Sequence, residues 1–323
     1  MAPSVVCLPG DGIGPEVMAE AVRVLDALAI EHAEYPFGGA AIDALGVPLP
    51  DETLAAARKS DAVLLGAVGG PAWAPGACEQ GLIDLRRELG VYANLRPAGN
   101  LVIVRELIGG LYYGAHGTRA DGTVFDTCEY TPGQVERVAR RAFELARTRS
   151  GKLWSVDKAN VMETGRMWRR VVSELAADFP DVELRHGLVD SVAMSIVMHP
   201  EQFDVLVMEN TFGDILSDVA AGVSGGLGLA ASASLGDGTL GVYEPVHGSA
   251  PDIAGTGAAN PTGMLRSVAL ALEHSLAEPE RAHRVEEAID AALSSTPTFD
   301  VGGRATTREF GDAVLAGLQM AVA

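Results

Sequence analysis

The stretch that most restricts this chain is ENTFGDILSDV, Glu209 to Val219, together with the apolar run at residues 203–208. The run has the length of a buried β-strand, and the residues after Gly213 read as a helix. The same hand-over from apolar run to turn to helical period recurs. Residues 5–8 lead through PGDGIGPE, Pro9 to Glu16, into a stripe of Val17, Ala21, Val24, Leu25 and Leu28, and Pro15 suits a first helical turn. Residues 153–157 precede a helical 163–177, and 182–188 precede 191–198. Residues 61–70 form another buried run that ends in glycines. Repeated strand–turn–helix units predict an α/β fold.

The acids sit where such a fold binds ligands. Asp214 and Asp218 are four apart, so on a helix their carboxylates share a face one turn apart. Solvation near a helix start would explain two acids, since the dipole favours them there. A divalent cation such as Mg²⁺ or Mn²⁺ would explain them as ligands. Asp190, where another strand meets another helix, could be an N-cap. Together the three lie at the carboxyl ends of successive strands, where open α/β sheets place their sites. Arg96 and Arg105 lie inside apolar runs, where an unpaired guanidinium is costly. They therefore need protein carboxylates or an anionic ligand, and bidentate arginine suits a substrate carboxylate.

Composition removes several classes. The formal net charge of −19 opposes nucleic acid or anionic membrane surfaces as partners. No apolar run of about 18 residues is present, so no transmembrane helix is expected. The first residues lack a basic region ahead of an apolar one, unlike a signal peptide. Cys7, Cys78 and Cys128 have neither zinc spacing nor a disulfide framework, which fits a reducing cytoplasm.

Other segments carry weaker signals. The glycines of residues 10–14 are spaced G-x-G-x-G, not the dinucleotide G-x-G-x-x-G. Residues 82–89 read as a helix bearing Arg86 and Arg87. Glycines around Tyr112 and Tyr113 suggest a loop that exposes a phenol. Lys158 follows a strand in VDKAN; most such lysines are solvated, and a catalytic amine could face a sheet-end site there. Residues 220–238, rich in Gly, Ala and Ser, read as a crossover between domains. Residues 243–261 form a glycine-rich loop long enough to be functional. Residues 263–276 and 280–293 read as closing helices.

The combination GDGIGPE, LRR, ANLRP, VREL-GGLYYG, VDKAN, VDSVAM, ENTFGDILSD and EPVHGSAPDIAG-ANP, in that order, resembles the isocitrate/isopropylmalate dehydrogenase family of metal-dependent β-decarboxylating dehydrogenases. The resemblance covers nearly the whole chain. It implies a two-domain isopropylmalate dehydrogenase-like α/β fold, distinct from the Rossmann fold. Residues 1–91 plus 225–323 would form a cofactor-side domain, and 92–224 an inserted domain with the dimer contacts and metal-binding acids.

It also implies the site. Arg86, Arg96 and Arg105 would hold the substrate carboxylates. Asp214 and Asp218, with Asp190 of the other subunit of a homodimer, would bind Mg²⁺ or Mn²⁺, and Asp190 would also meet substrate. Lys158, again from the other subunit, would be the base and Tyr112 the acid. His247, Gly248, Ser249, Ala250, Pro251, Asp252, Ile253 and Asn260 would bind the cofactor. Asp252 can accept from ribose hydroxyls and would repel a 2′-phosphate, which argues for NAD. Glu79, Leu82 and Ile83 match the segment that recognises the substrate's side group, and Leu82 and Ile83 supply apolar surface for an isopropyl group.

The implied activity is NAD-dependent oxidative decarboxylation of 3-isopropylmalate in leucine biosynthesis. Tartrate or malate, isocitrate and homoisocitrate are alternative substrates. A catalytically silent homologue that keeps the fold as a binding protein is the other class. It is motivated by one departure: between Arg96 and Arg105 the chain has only PAGNLVIV, where relatives carry a longer segment with a helix. Adjacent parallel strands need a crossover of about a dozen residues or more, so the runs around Leu95 and Val102 cannot be parallel neighbours. His116 and Gly117 stand where relatives usually have Pro-Arg.

Overall fold

The computed structural model describes residues 4–320. In chain order the elements are β1 (Ser4–Gly10), α1 (Gly14–Ala27), β2 (Glu31–Glu34), α2 (Gly38–Leu45), α3 (Asp51–Ala57), β3 (Ala62–Ala67), α4 (Ala77–Leu89), β4 (Ala93–Ala98) and β5 (Leu101–Glu106). There follow β6 (His116–Thr118), β7 (Val124–Asp126), α5 (Pro132–Thr148), β8 (Lys152–Asp157), α6 (Glu163–Leu175), β9 (Glu183–Leu188), α7 (Val189–Met198), β10 (Val205–Met208) and α8 (Asn210–Val223). The chain closes with β11 (Ala231–Leu235), β12 (Gly241–Pro245), α9 (Thr262–His274), α10 (Pro279–Ser295) and α11 (Thr307–Met320). It divides into two compact units, residues 1–91 with 225–323, and residues 92–224.

In the first unit the strands run β2-β1-β3-β12-β11. All pairs are parallel except β11 with β12. Alternate residues Val6, Leu8, Val63, Leu65 and Val242 share a core with Phe37, Ala57 and Leu85 from the segments between strands. Helices α1 and α9 lie on the sheet, and α10 and α11 pack on α9 and α1.

In the second unit the order is β4-β5-β10-β8-β9. β5, β10, β8 and β9 are parallel, so the segments after β10, β8 and β9 leave the same edge. The short path after Arg96 is a hairpin. β4 and β5 pair antiparallel from Ala93↔Glu106 to Ala98↔Leu101. Only Gly99 and Asn100 make the turn, with Gly99 at φ +58°. A left-handed first turn position is what a II′ two-residue hairpin needs, and glycine reaches it without strain. Helix ends are specified locally: Thr131 and Gln134 form a capping box at α5 with Pro132 behind the cap, and Glu209 caps α8 through the amides of Thr211 and Phe212.

Three sequence readings change here. The chain does pass from one unit to the other within residues 220–238, between Ser224 and Gly225, but the stretch is not irregular throughout: α8 runs to Val223 and β11 is a fully buried strand. Its Ala-Ser-Ala-Ser-Leu sequence has no large apolar residue before Leu235, so the usual strand signal is missing. Tyr243 to Pro245 belong to β12 and not to the following loop, and Tyr243 is wholly buried. Asp190 is not the N-cap of α7; Leu188 takes that position and Asp190 lies in the first turn. Among the described residues no helix is long and apolar enough to cross a membrane.

Candidate active site

Both central arginines of the second unit come from the β4–β5 hairpin. Asn94 and Arg96 are two apart on β4, and Asn94 lies directly across from Arg105, so all three point to one sheet face. The register of β5 with β10 pairs Arg105 with Met208, which starts α8 just beyond that arginine. Gly213 allows the approach: a Cβ there would lie 2.5 Å from Arg105 Cγ.

The acids of α8 meet the arginines. Arg105 Nη1 donates to Asp214 Oδ1. Arg96 Nη2 lies 3.4 Å from the same oxygen and Nη1 3.4 Å from Asp218 Oδ1, with Ser217 Oγ accepting from Nη1 at 2.8 Å. Both arginines are buried, whereas Asp214 and Asp218 are partly open to solvent. Burial raises the Asp218 carboxyl above its usual range, Arg96 opposes the shift, and Asp214 adds to it. The Tyr112 hydroxyl donates to Asp214 Oδ2 at 3.1 Å. Burial and the adjacent Asp214 carboxylate push its pKa up, so it holds its proton at neutral pH.

Lys158 and Asp190 form a second group in the same unit. Lys158 follows β8, Asp190 follows β9, and the two strands are parallel neighbours. Lys158 Nζ lies 2.5 Å from Asp190 Oδ1, which holds that carboxyl below its ordinary range. Among the described residues of this one chain, no three His, Cys, Asp or Glu side chains group closely enough to hold a metal ion. Asp214 and Asp218 supply two carboxylates one turn apart, a donor set of the kind hard divalent cations take.

The first unit carries the remaining candidates. Glu79, Leu82, Ile83 and Arg86 follow helical spacing along one face of α4. Arg86 pairs with Glu244 of β12 at 2.5 Å. In the loop after β12, Gly248, Pro251, Asp252 and Ile253 are exposed, while Ser249 is buried. Ala250 has φ +38°, an unusual conformation for a residue with a Cβ. His247 Nε2 is buried without a hydrogen-bond partner among the described residues, and burial lowers the imidazole pKa. Asn260 turns inward, donating to Asp300 and accepting from Thr262 N at 2.9 Å.

Sequence reasoning missed the supports of this loop. Glu16, at the start of α1, accepts from the amides of Gly255 and, at 3.0 Å, Gly257. Ser249 O accepts from Ile13 N at 2.8 Å, so the first glycine loop and residues 249–257 are tied together. Asp11 accepts from Gly39, Ala40 and Gly69 amides at 2.8–2.9 Å. The GDGIGPE pattern was a signal for these contacts, with its acids facing backbone N–H groups in place of a dinucleotide fingerprint.

The chain is similar to known proteins along nearly its whole length. The profile of the isocitrate/isopropylmalate dehydrogenase family matches residues 4–101 and 98–314, and the two segments meet at the β4–β5 turn. The 3-isopropylmalate dehydrogenase of Shouchella clausii is 48% identical over 91% of this chain and 90% of its own. That of Pseudomonas putida is 47% identical over 99% of both. Among solved structures, isocitrate dehydrogenase from Methylococcus capsulatus superposes with a TM-score of 0.91 at 36% identity, covering 98% of this chain and 99% of its own. A β-decarboxylating dehydrogenase from Thermococcus kodakarensis gives 0.87 at 39% identity, covering 99% and 97%. By sequence and by fold, the chain belongs to the isocitrate/isopropylmalate dehydrogenase family.

Proposed function

We propose that this protein oxidises and decarboxylates 3-isopropylmalate to 4-methyl-2-oxopentanoate and CO₂ with NAD, a step of leucine biosynthesis in the cytoplasm. The observation that carries the reading is the pair of buried arginines, Arg96 and Arg105, set against two acids one turn apart on α8. That arrangement suits a substrate with carboxylates and a hydroxyl that chelates a divalent cation. In this reading Arg86, Arg96 and Arg105 bind the carboxylates, and Leu82 and Ile83 offer apolar surface to the isopropyl group. Lys158 takes the hydroxyl proton as general base, and Tyr112 delivers a proton to carbon after CO₂ leaves.

Asp214 and Asp218, with Asp190 of a second subunit, would hold Mg²⁺ or Mn²⁺. When bound, the metal supplies Lewis-acid polarisation of the hydroxyl and its carboxylate. NAD, which accepts the hydride, fits the loop from His247 to Asn260: the loop presents Asp252 and Ile253 to solvent and buries an unsatisfied imidazole nitrogen. The acid at 252 favours ribose hydroxyls over a 2′-phosphate. A homodimer is supported by α7 and α8, which pack together and leave Met194, Val197, Met198 and Ile215 more than half exposed. A second copy would cover them.

The test is kcat/KM for 3-isopropylmalate, malate, tartrate, isocitrate and homoisocitrate, each with NAD and NADP and with Mg²⁺ and Mn²⁺. A clear preference for 3-isopropylmalate with NAD is expected. Preference for an acid without a branched alkyl group would overturn the substrate, and no turnover by a folded, NAD-binding dimer would make the chain a silent homologue.

A further inference from the structure

Each buried arginine is gripped along its Nε edge by a neutral amide. Asn94 Oδ1 accepts from Arg96 Nε at 2.8 Å. Asn210 Oδ1 accepts from Arg105 Nε at 2.9 Å and Nη2 at 2.7 Å. Both asparagines are wholly buried. The Asn210 amide has one orientation available, because its Nδ2 donates to Leu107 O at 3.1 Å and Gly109 O at 2.9 Å. Its oxygen must then face the guanidinium. Its backbone N–H is also committed, donating to the Tyr130 hydroxyl at 3.0 Å.

The choice of amide over carboxylate has an electrostatic consequence. Aspartate has nearly the shape of asparagine and would bind a guanidinium more strongly, through charge-assisted hydrogen bonds. It would also add a negative charge within a few ångströms of any bound anion, in a chain whose formal net charge is already −19. Arg96 and Arg105 already face two carboxylates, Asp214 and Asp218. A third carboxylate would turn this group of side chains net negative. The amides orient the arginines and add no charge.

We propose that Asn94 and Asn210 are positioning residues for anion recognition, fixing the guanidiniums of Arg96 and Arg105 by their Nε edges without offsetting the positive charge that a dicarboxylate substrate needs. The inference rests on reading these arginines as carboxylate-binding groups. It extends that reading to two wholly buried residues that act through the arginines.

The test compares N94D, N94A, N210D and N210A with the wild type in the full-length protein. Binding of 3-isopropylmalate, with Mg²⁺ or Mn²⁺ present and NAD absent, is measured by isothermal titration calorimetry, binding of NAD separately, and Tm by thermal unfolding. N94D and N210D should weaken 3-isopropylmalate binding on the order of 10–100-fold, the scale of one added charge at short range in a partly screened site. N94A should weaken it less than N94D, and NAD binding should stay unchanged throughout. A role in folding alone predicts the reverse order, since aspartate keeps the acceptor that alanine removes. If the wild type binds and N94D binds equally well, or less weakly than N94A, the inference fails while the proposed function stands. If the folded wild type binds no 3-isopropylmalate, both fail. N210D also loses the donors to Leu107 O and Gly109 O; should it not fold, N94D and N94A decide the matter.

Discussion

Replacing Glu106 by glutamine should remove a pH dependence of stability worth about 3 kcal/mol. Glu106 ends β5 one residue past Arg105, and its side chain is wholly buried. Ile108 N donates to Oε1 at 3.3 Å, and Arg137 lies 3.6 Å from the same oxygen. The Tyr130 hydroxyl donates to Glu209 Oε2 at 3.3 Å, and Glu106 Oε2 has no well-formed hydrogen bond among the described residues. Burial, only partly offset by the Ile108 amide and Arg137, lifts the carboxyl from 4.5 to about 7. Between those values the folded chain binds more protons than the unfolded chain. Stability is therefore fully present below the unfolded pKa and falls as pH rises through the folded one. The shift from 4.5 to about 7, at about 1.4 kcal/mol per pKa unit, gives the 3 kcal/mol. Glutamine stands in for the protonated acid and does not ionise. Guanidinium chloride unfolding at one protein concentration should show E106Q gaining about 2–3 kcal/mol on the wild type between pH 5 and pH 8. Stability curves that stay parallel across that interval would refute the reasoning, because every other titrating group is common to both proteins.

Two further outcomes follow from the site. Asp252→Lys combined with Ile253→Tyr should move the kcat/KM ratio towards NADP; an unchanged ratio would mean that Asp252 does not face the ribose. Asp190→Asn and Asp214→Asn homodimers should each lose most activity while folded, and mixing them should restore part of it, since a site shared between subunits leaves one of the two intact. Subunit exchange demonstrated by mass tagging, with no activity recovered, would rule out the shared site.

Much of the fold could be read from the chain because its strands and helices differ in period and are separated by glycine and charged turns. The runs before Glu209, Lys158 and Asp190 are strands, and the four-residue spacing of Asp214 and Asp218 does place both on α8. The parts that escaped lack such contrast. β2 is Glu-His-Ala-Glu with little burial, and β11 is built of alanine and serine, so neither alternates between large apolar and polar residues. The incompatibility of parallel pairing with the eight residues between Arg96 and Arg105 was legible; the hairpin that resolves it depends on Gly99 adopting a left-handed turn. Least legible were the polar partners. Asn210 meets Arg105 across 105 positions of sequence, and Glu16 meets Gly257 across 241. Such contacts are set by strand register and helix placement, which local sequence pattern does not encode.

In the proposed function, oxidation at C2 and loss of CO₂ occur in one turnover of this protein. The most direct test measures NADH and CO₂ together from 3-isopropylmalate with NAD and Mg²⁺ or Mn²⁺. One CO₂ per NADH is expected from the wild type and neither product from Asp214→Asn. NADH without CO₂, or equal turnover by Asp214→Asn, would contradict it.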